Sequence, residues 1–201
     1  MIKNVIFDIG NVILDYNPMN YLFKNFGVEQ SIDLFTKVFK SKEWLELDRG
    51  SIDNRLAAEK IANREESLTF DLILEILENW SDESFKQIES TVEFIKYLKN
   101  DRNYKLYLLS NIHEKAFLES KKKYKVLSYF DGELVSYKCH MLKPEEGIYK
   151  LLMKKYELKA EDCAFLDDTL QNVVKANSLG IRSVHYQNMM SLCEFFNIIR
   201  A

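Results

Sequence analysis

Two hydrophobic textures alternate along this chain. Over residues 18–86 the apolar positions recur at helical spacing. Leu72, Ile73, Ile76, Leu77 and Trp80 fall at i, i+1, i+4, i+5 and i+8, one face of an amphipathic helix. Ile32, Phe35, Val38 and Phe39 predict another helix, and Leu22 with Phe26 a shorter one stopped by Gly27. Outside that block, apolar runs of strand length come between helical stretches. Val5-Ile6-Phe7, Leu106 to Leu109, Leu134-Val135, Ala164-Phe165-Leu166 and Ile181 to Val184 predict successive strands. Pro144 is placed to open a helix with Ile148, Leu151, Leu152 and Tyr156 on one face, and Gly180 to stop the helix holding Val173 and Val174.

Strand and helix in regular alternation imply a parallel sheet covered on both faces. The expected architecture is therefore α/β: a doubly wound, Rossmann-like parallel sheet built from residues 1–15 and 88–201, with an inserted helical cap over 16–87. In such sheets ligands bind beyond the carboxyl ends of the strands. Asp8 ends the first strand, within VIFDIGNV. Ser110-Asn111 end the second, within KLYLLSN, and Asp167-Asp168 the fourth, within CAFLDDTLQN. Lys143 precedes the helix between the third and fourth.

Each of these has a plain structural reading: a turn residue, a helix cap, a surface lysine. Their meeting on one sheet edge is harder to explain that way. Two carboxylates about 4 Å apart repel by roughly 4 kcal/mol in a partly buried site. A divalent cation between Asp8 and Asp168 would remove that cost, and a donor set made only of oxygens suits Mg2+. With Lys143 and the hydroxyl of Ser110 nearby, the site is shaped for a phosphate, and Asp8 is placed to attack phosphorus.

Composition narrows the partners. At 201 residues, 47% of them hydrophobic, the chain can bury a full core as one domain with a modest insertion. A formal charge of −3 gives no basic field for nucleic acid, and Lys121-Lys122-Lys123 reads as a solvated helix face. The cysteines Cys139, Cys163 and Cys193 suggest neither a disulfide framework nor a zinc site. The histidines His113, His140 and His185 are too scattered for a metal cluster. No secretory pattern opens the chain and no apolar run approaches a membrane span. The expectation is a cytoplasmic protein acting on a small phosphorylated metabolite, with no nucleic acid or membrane partner.

VIFDIGNV, LLSN, LKPEEGIY and FLDDTLQN, in that order and spacing, resemble the successive motifs of the haloacid dehalogenase (HAD) superfamily of hydrolases. The insert after the first strand resembles the small helical cap of its subfamily IA, and Asp48-Arg49-Gly50-Ser51-Ile52 a cap turn of that group. The FDxGNV form is similar to a subgroup that includes sugar 1-phosphate phosphatases. The resemblance implies that Asp8 is nucleophile and metal ligand and that Gly10 lends its backbone carbonyl to the metal. Asp168, helped by Asp167, would complete the protein share of the metal shell, and Ser110, Asn111 and Lys143 would bind the phosphoryl group.

One position departs from the pattern. Phosphatases of the superfamily carry a second aspartate two residues after the nucleophile, as general acid and base; here that residue is Gly10. General acid–base help is worth about 10²–10⁴-fold. A hemiacetal phosphate, whose leaving oxygen is more acidic than an ordinary alcohol, would lose least. Two other functions compete: a 2-haloacid dehalogenase, which needs no proton for its halide but leaves Asp167-Asp168 without a task, and a degenerate phosphate-binding interaction protein. Asp15, Tyr16, Asn17 and His113 are polar candidates to replace the acid, and Arg49 is a candidate cap contact. The sequence leaves open the substrate, the replacement acid, the cap residues that set specificity and the oligomeric state.

Overall fold

The computed structural model describes residues 1–100 and 104–200. Val5, Ile6 and Phe7 are fully buried because β1 (Asn4–Phe7) runs through the middle of a five-stranded sheet. On one side it pairs in parallel with β4 (Lys105–Ser110), followed by β5 (Gly132–Val135). On the other it pairs in parallel with β6 (Cys163–Asp167), followed by β7 (Arg182–His185). The spatial order is β5-β4-β1-β6-β7. Phe7 stands opposite both Leu108 and Leu166, so β1, β4 and β6 finish nearly level and Asp8, Ser110 and Asp167 arrive at one edge.

Alternate residues of the strands feed two cores, as the pleat requires. Val5, Phe7, Leu108 and Leu166 face α7 (Glu89–Asn100) and α12 (Met189–Arg200). Ile6, Leu109, Leu134 and Phe165 face α10 (Glu146–Lys155) and α11 (Leu170–Ser178). Each expected strand is present; the first four are extended by one or two residues and the fifth is shifted by one, to Arg182–His185. Gly180 follows α11 with φ 84.

Between β1 and α7 the chain makes a detour. A short antiparallel pair, β2 (Leu14–Tyr16) and β3 (Phe85–Gln87), carries it out and back. Between them lie α1 (Met19–Phe26), α2 (Val28–Leu34), a π-helical turn (Phe35–Phe39), α3 (Lys42–Arg49), α4 (Asn54–Arg64), α5 (Phe70–Asn79) and α6 (Ser81–Ser84). The side chains of Ser41, Asp53 and Thr69 accept hydrogen bonds from the first turns of α3, α4 and α5. The core of this insert is continuous with the α7/α12 side of the sheet. Trp80 packs edge-on against Tyr16, Phe39 and Trp44, closing the insert onto its stem.

Three expectations are corrected here. The helical block does not run unbroken to residue 86, because β3 pairs with β2 from Phe85; periodicity could not show a pair so short. Ile32, Phe35, Val38 and Phe39 do not form one regular helix. The Lys40 N–H donates to the carbonyl of Phe35 at 3.1 Å, a π-type bond, which turns Val38 and Phe39 inward while Ile32 stays exposed. Pro144 does not open α10; it lies in a turn closed by Glu145 N–H on Leu142 O, and the helix starts at Glu146.

The insert meets the core where α3 ends against α9 (Ser136–Cys139). Gly50 caps α3 in the left-handed region at φ 70, and a Cβ there would lie 2.4 Å from the carbonyl oxygen of Tyr137. Gly50→Ala is expected to cost about 1–3 kcal/mol, from left-handed strain plus this clash. Denaturant unfolding measures it; an unchanged midpoint would mean that the joint is loose.

Candidate active site

Four elements deliver polar side chains to the carboxyl edge of the sheet. Asp8 follows β1, and its Oδ1 accepts from the N–H of Ile9 at 2.7 Å and faces the Lys143 ammonium at 2.9 Å. Lys143, from the turn before α10, is buried with its side chain 1% exposed. It also donates to Asp167 Oδ2 at 2.6 Å and to the carbonyl of Leu109 at 2.9 Å. Asp167 ends β6 fully buried, its Oδ1 accepting from Thr169 N–H and Asn172 Nδ2. Ser110 is buried at the end of β4, where its hydroxyl favours the charged form of Asp8. Asp168 Oδ2 accepts from Asn11 Nδ2 at 2.9 Å.

The electrostatics of this group are strained in a particular direction. Burial, opposed by Lys143 and Ser110 and reinforced by Asp167 and Asp168, leaves the Asp8 carboxyl raised to about 7. Burial alone would depress Lys143, but Asp167 and Asp8 hold its ammonium above the usual lysine range. One oxygen from each of Asp8, Asp167 and Asp168 lies within 4.8 Å of the others. Three acids against one cation leave a negative excess, and the all-oxygen set fits a hard divalent ion such as Mg2+. Both oxygens of Asp167 already have partners, and so do both of Asp168, whose Oδ1 accepts from the Thr169 hydroxyl at 3.3 Å.

Asp8, Ser110, Lys143, Asp167 and Asp168 thus come together. Asn111 is brought to Lys143 instead: its Oδ1 accepts from the Lys143 N–H at 2.8 Å and its Nδ2 donates to the Lys143 carbonyl at 3.0 Å. Gly10 sits on the loop after β1 with no positive φ, and a Cβ built on it meets nothing within 4 Å. Asp15 is exposed on β2, and Asn17 receives the Met19 N–H in the turn before α1. Arg49 is paired with Glu145 of the core and donates to the His140 carbonyl. His113 precedes α8 (Glu114–Lys123), buried between the rings of Trp44 and Trp80 at 4.8 and 5.2 Å. Burial drives its imidazole down to about 4, so it is neutral at physiological pH.

Three residues stand inside segments quoted in the sequence analysis but were given no role of their own there. Asn11, at φ 54, anchors Asp168 and accepts from the Tyr16 N–H at 3.0 Å; the pair Gly10-Asn11 after a strand was its only signal. Asn172, the last residue of FLDDTLQN, holds Asp167 from the first turn of α11. Asp48, on the core-facing side of α3, has a carboxyl 15% exposed with Oδ1 3.6 Å from His113 Nδ1. Beside it, between insert and core, opens a cavity of about 770 Å³ whose walls include Leu47, Gly50, Arg55, His113 and His140.

Comparison with known proteins gives a consistent picture. The family model described as haloacid dehalogenase-like hydrolase matches residues 2–180. A sesquiterpene phosphatase of Aspergillus oryzae is 23% identical over 197 residues, covering 95% of this chain and 93% of that protein. A HAD family enzyme from Bacteroides thetaiotaomicron, solved with magnesium and inorganic phosphate, superposes with a TM-score of 0.74 at 23% identity, over 93% of this chain and 95% of that one. An L-2-haloacid dehalogenase from Xanthobacter autotrophicus gives 0.71 at 15% identity, over 96% and 82%. At these identities the two structures share the fold.

Lys143→Met would leave Asp8 and Asp167 buried without their cation. The expected cost is about 3–5 kcal/mol of unfolding free energy, the range for breaking a buried pair from one side. Chemical denaturation checks it, and a loss below about 1 kcal/mol would mean that water already screens the site.

Proposed function

The chain belongs to the haloacid dehalogenase-like hydrolases, and from that premise we propose that it is a magnesium-dependent phosphatase acting on a small phosphomonoester through an aspartyl-phosphate on Asp8. The observation that carries the reading is the buried Lys143 ammonium, held 2.9 Å from Asp8 and 2.6 Å from Asp167 beside a carboxylate set suited to a divalent ion. A fixed cation next to a carboxylate nucleophile is what a dianionic phosphoryl group requires.

In this reading Asp8, Asp168 and the backbone carbonyl of Gly10 hold the metal, with Asp167 supporting. Bound there, Mg2+ supplies charge compensation for the phosphoryl oxygens. Ile9 N–H and Lys143 orient the Asp8 carboxylate, and Lys143 and Ser110 receive phosphoryl oxygens. Asn111 contributes by clamping the Lys143 backbone on both sides. Asp8 attacks phosphorus as the ester oxygen leaves; water then attacks the phosphorus, freeing phosphate and restoring the carboxylate.

Within this class two alcohols are candidates. A sugar 1-phosphate fits the FDxGNV form and has a good leaving oxygen. The Aspergillus oryzae relative is named for a terpenoid, an apolar alcohol.

Asp8→Asn is expected to lose about 10³-fold or more of kcat on an aryl phosphate while keeping its melting temperature, because an amide cannot act as the nucleophile. Substantial residual turnover would overturn the assignment. Activity should disappear in excess EDTA, and Asp168→Ala should raise the magnesium needed for half-maximal rate by about 10–100-fold. Undiminished turnover in EDTA, with halide released from a 2-haloacid, would instead favour the dehalogenase reading. Phosphate binding without turnover would favour the degenerate one.

A further inference from the structure

The three acids at the sheet edge are held in different ways. Asp8 and Asp167 face the Lys143 ammonium at 2.9 and 2.6 Å. Asp168 does not: among the described residues no lysine or arginine side chain pairs with it, and its carboxylate meets two neutral donors. Asn11 Nδ2 donates to Oδ2 at 2.9 Å, and the Thr169 hydroxyl to Oδ1 at 3.3 Å, long for a bond between two oxygens. His185 Nε2 donates to the Asp168 carbonyl at 2.8 Å, which fixes the backbone and leaves the direction of the side chain to Asn11. A neutral donor can orient a carboxylate while leaving its charge for a cation; an ammonium would compete with that cation.

The Asn11 amide is itself oriented from its other end. Its Oδ1 accepts from the Tyr16 N–H at 3.0 Å, and a backbone N–H can only donate, so the end turned to Asp168 is the amide nitrogen. Tyr16 belongs to β2, the outgoing strand of the insert's stem, and its ring packs against Trp80 and Phe85 at 5.6 and 5.5 Å. The turn around Asn11 closes without the side chain. Asn11 N–H donates to Leu14 O at 2.7 Å, and the N–H groups of Ile13 and Leu14 both donate to Ile9 O at 2.9 Å. At φ 54 a glycine would suit that backbone better than any other residue. Asparagine tolerates the left-handed region and adds a donor and an acceptor in one amide, and both are in use here.

Resting on the phosphatase reading, we propose that Asn11 is the positioning residue of the metal site: it fixes the Asp168 carboxylate from the stem of the insert, and magnesium affinity depends on it. Of the three acids, Asp168 is the one whose charge no ammonium claims, so its direction is set by hydrogen bonding alone. Without the Asn11 amide it would hang on the Thr169 hydroxyl. Asp8 and Asp167, each with an oxygen within 4.8 Å of one of its own, would then repel it from the edge. Holding the carboxylate in place beforehand removes that ordering cost from metal binding. The same amide joins Asp168 to β2, so the edge of the sheet and the stem of the insert meet at the metal site.

The test is a calorimetric titration of magnesium alone, with no phosphate present, into wild type and Asn11→Gly, which keeps the turn and removes the amide. The magnesium Kd should rise by about 10–100-fold in the variant. Its metal-free melting temperature should stay within about 3 °C of wild type. An unchanged Kd would overturn the proposal. So would a metal-free variant that melts far lower or does not fold, since the side chain would then be holding the loop rather than Asp168. A double-mutant cycle shows the route of the effect: in an Asp168→Ala background, Asn11→Gly should change Kd by less than about 3-fold. The full loss appearing there as well would mean that Asn11 acts by some path other than Asp168, and would also overturn the proposal. Magnesium binding that Asn11→Gly leaves untouched removes this proposal alone. Wild type that binds no magnesium, and releases no phosphate from an aryl phosphate in its presence, removes the phosphatase reading with it.

Discussion

The ammonium of Lys143 between Asp8 and Asp167 is the interaction on which the rest of the site depends. All three side chains are nearly or fully buried, so each charge would be expensive alone, and their separations of 2.9 and 2.6 Å leave no room for water between them. The protein surrounds this bridge with fixed supports. Asn111 clamps the Lys143 backbone from β4, while Asn172 and Thr169 N–H hold Asp167 from the far side. Tertiary structure here serves electrostatics: a parallel sheet with β1 at its centre is what brings chain positions 8, 110, 143 and 167 to one edge.

The bridge does not neutralise the site. A third carboxylate, Asp168, is steered in by Asn11, and the resulting excess of negative charge makes the edge a receptor for a hard cation and, with it, for a phosphoryl dianion. The helical insert is coupled to the same edge at a close joint. Gly50 lets α3 stop against Tyr137, Arg49 pairs with Glu145, and Ser136 donates to the Asp48 carbonyl.

Much of this was legible in the sequence, for a physical reason. Strands buried on both faces are continuous apolar runs, so the five strands could be read directly, and the carboxyl-edge rule then picked out Asp8, Ser110, Asp167, Asp168 and Lys143. What stayed hidden depends on side-chain direction or on very short elements. The β2–β3 pair spans three residues a side and has no room for a period. The amide of Asn111 could not be assigned to the Lys143 backbone from its place beside Ser110. Asp48 was legible only as the first residue of a cap turn, with nothing to show its surroundings. Only the packing of α3 against α9 shows it to be partly enclosed.

The account stands or falls on covalent chemistry at Asp8. Its most direct test is a rapid acid quench of the enzyme during turnover of an aryl phosphate in magnesium, followed by proteolysis and mass spectrometry. The account predicts a phosphoryl adduct, labile to base, on the peptide that contains Asp8 and absent when EDTA is added before substrate. Steady turnover with no adduct on that peptide, or with the phosphoryl group on any other residue, would contradict it.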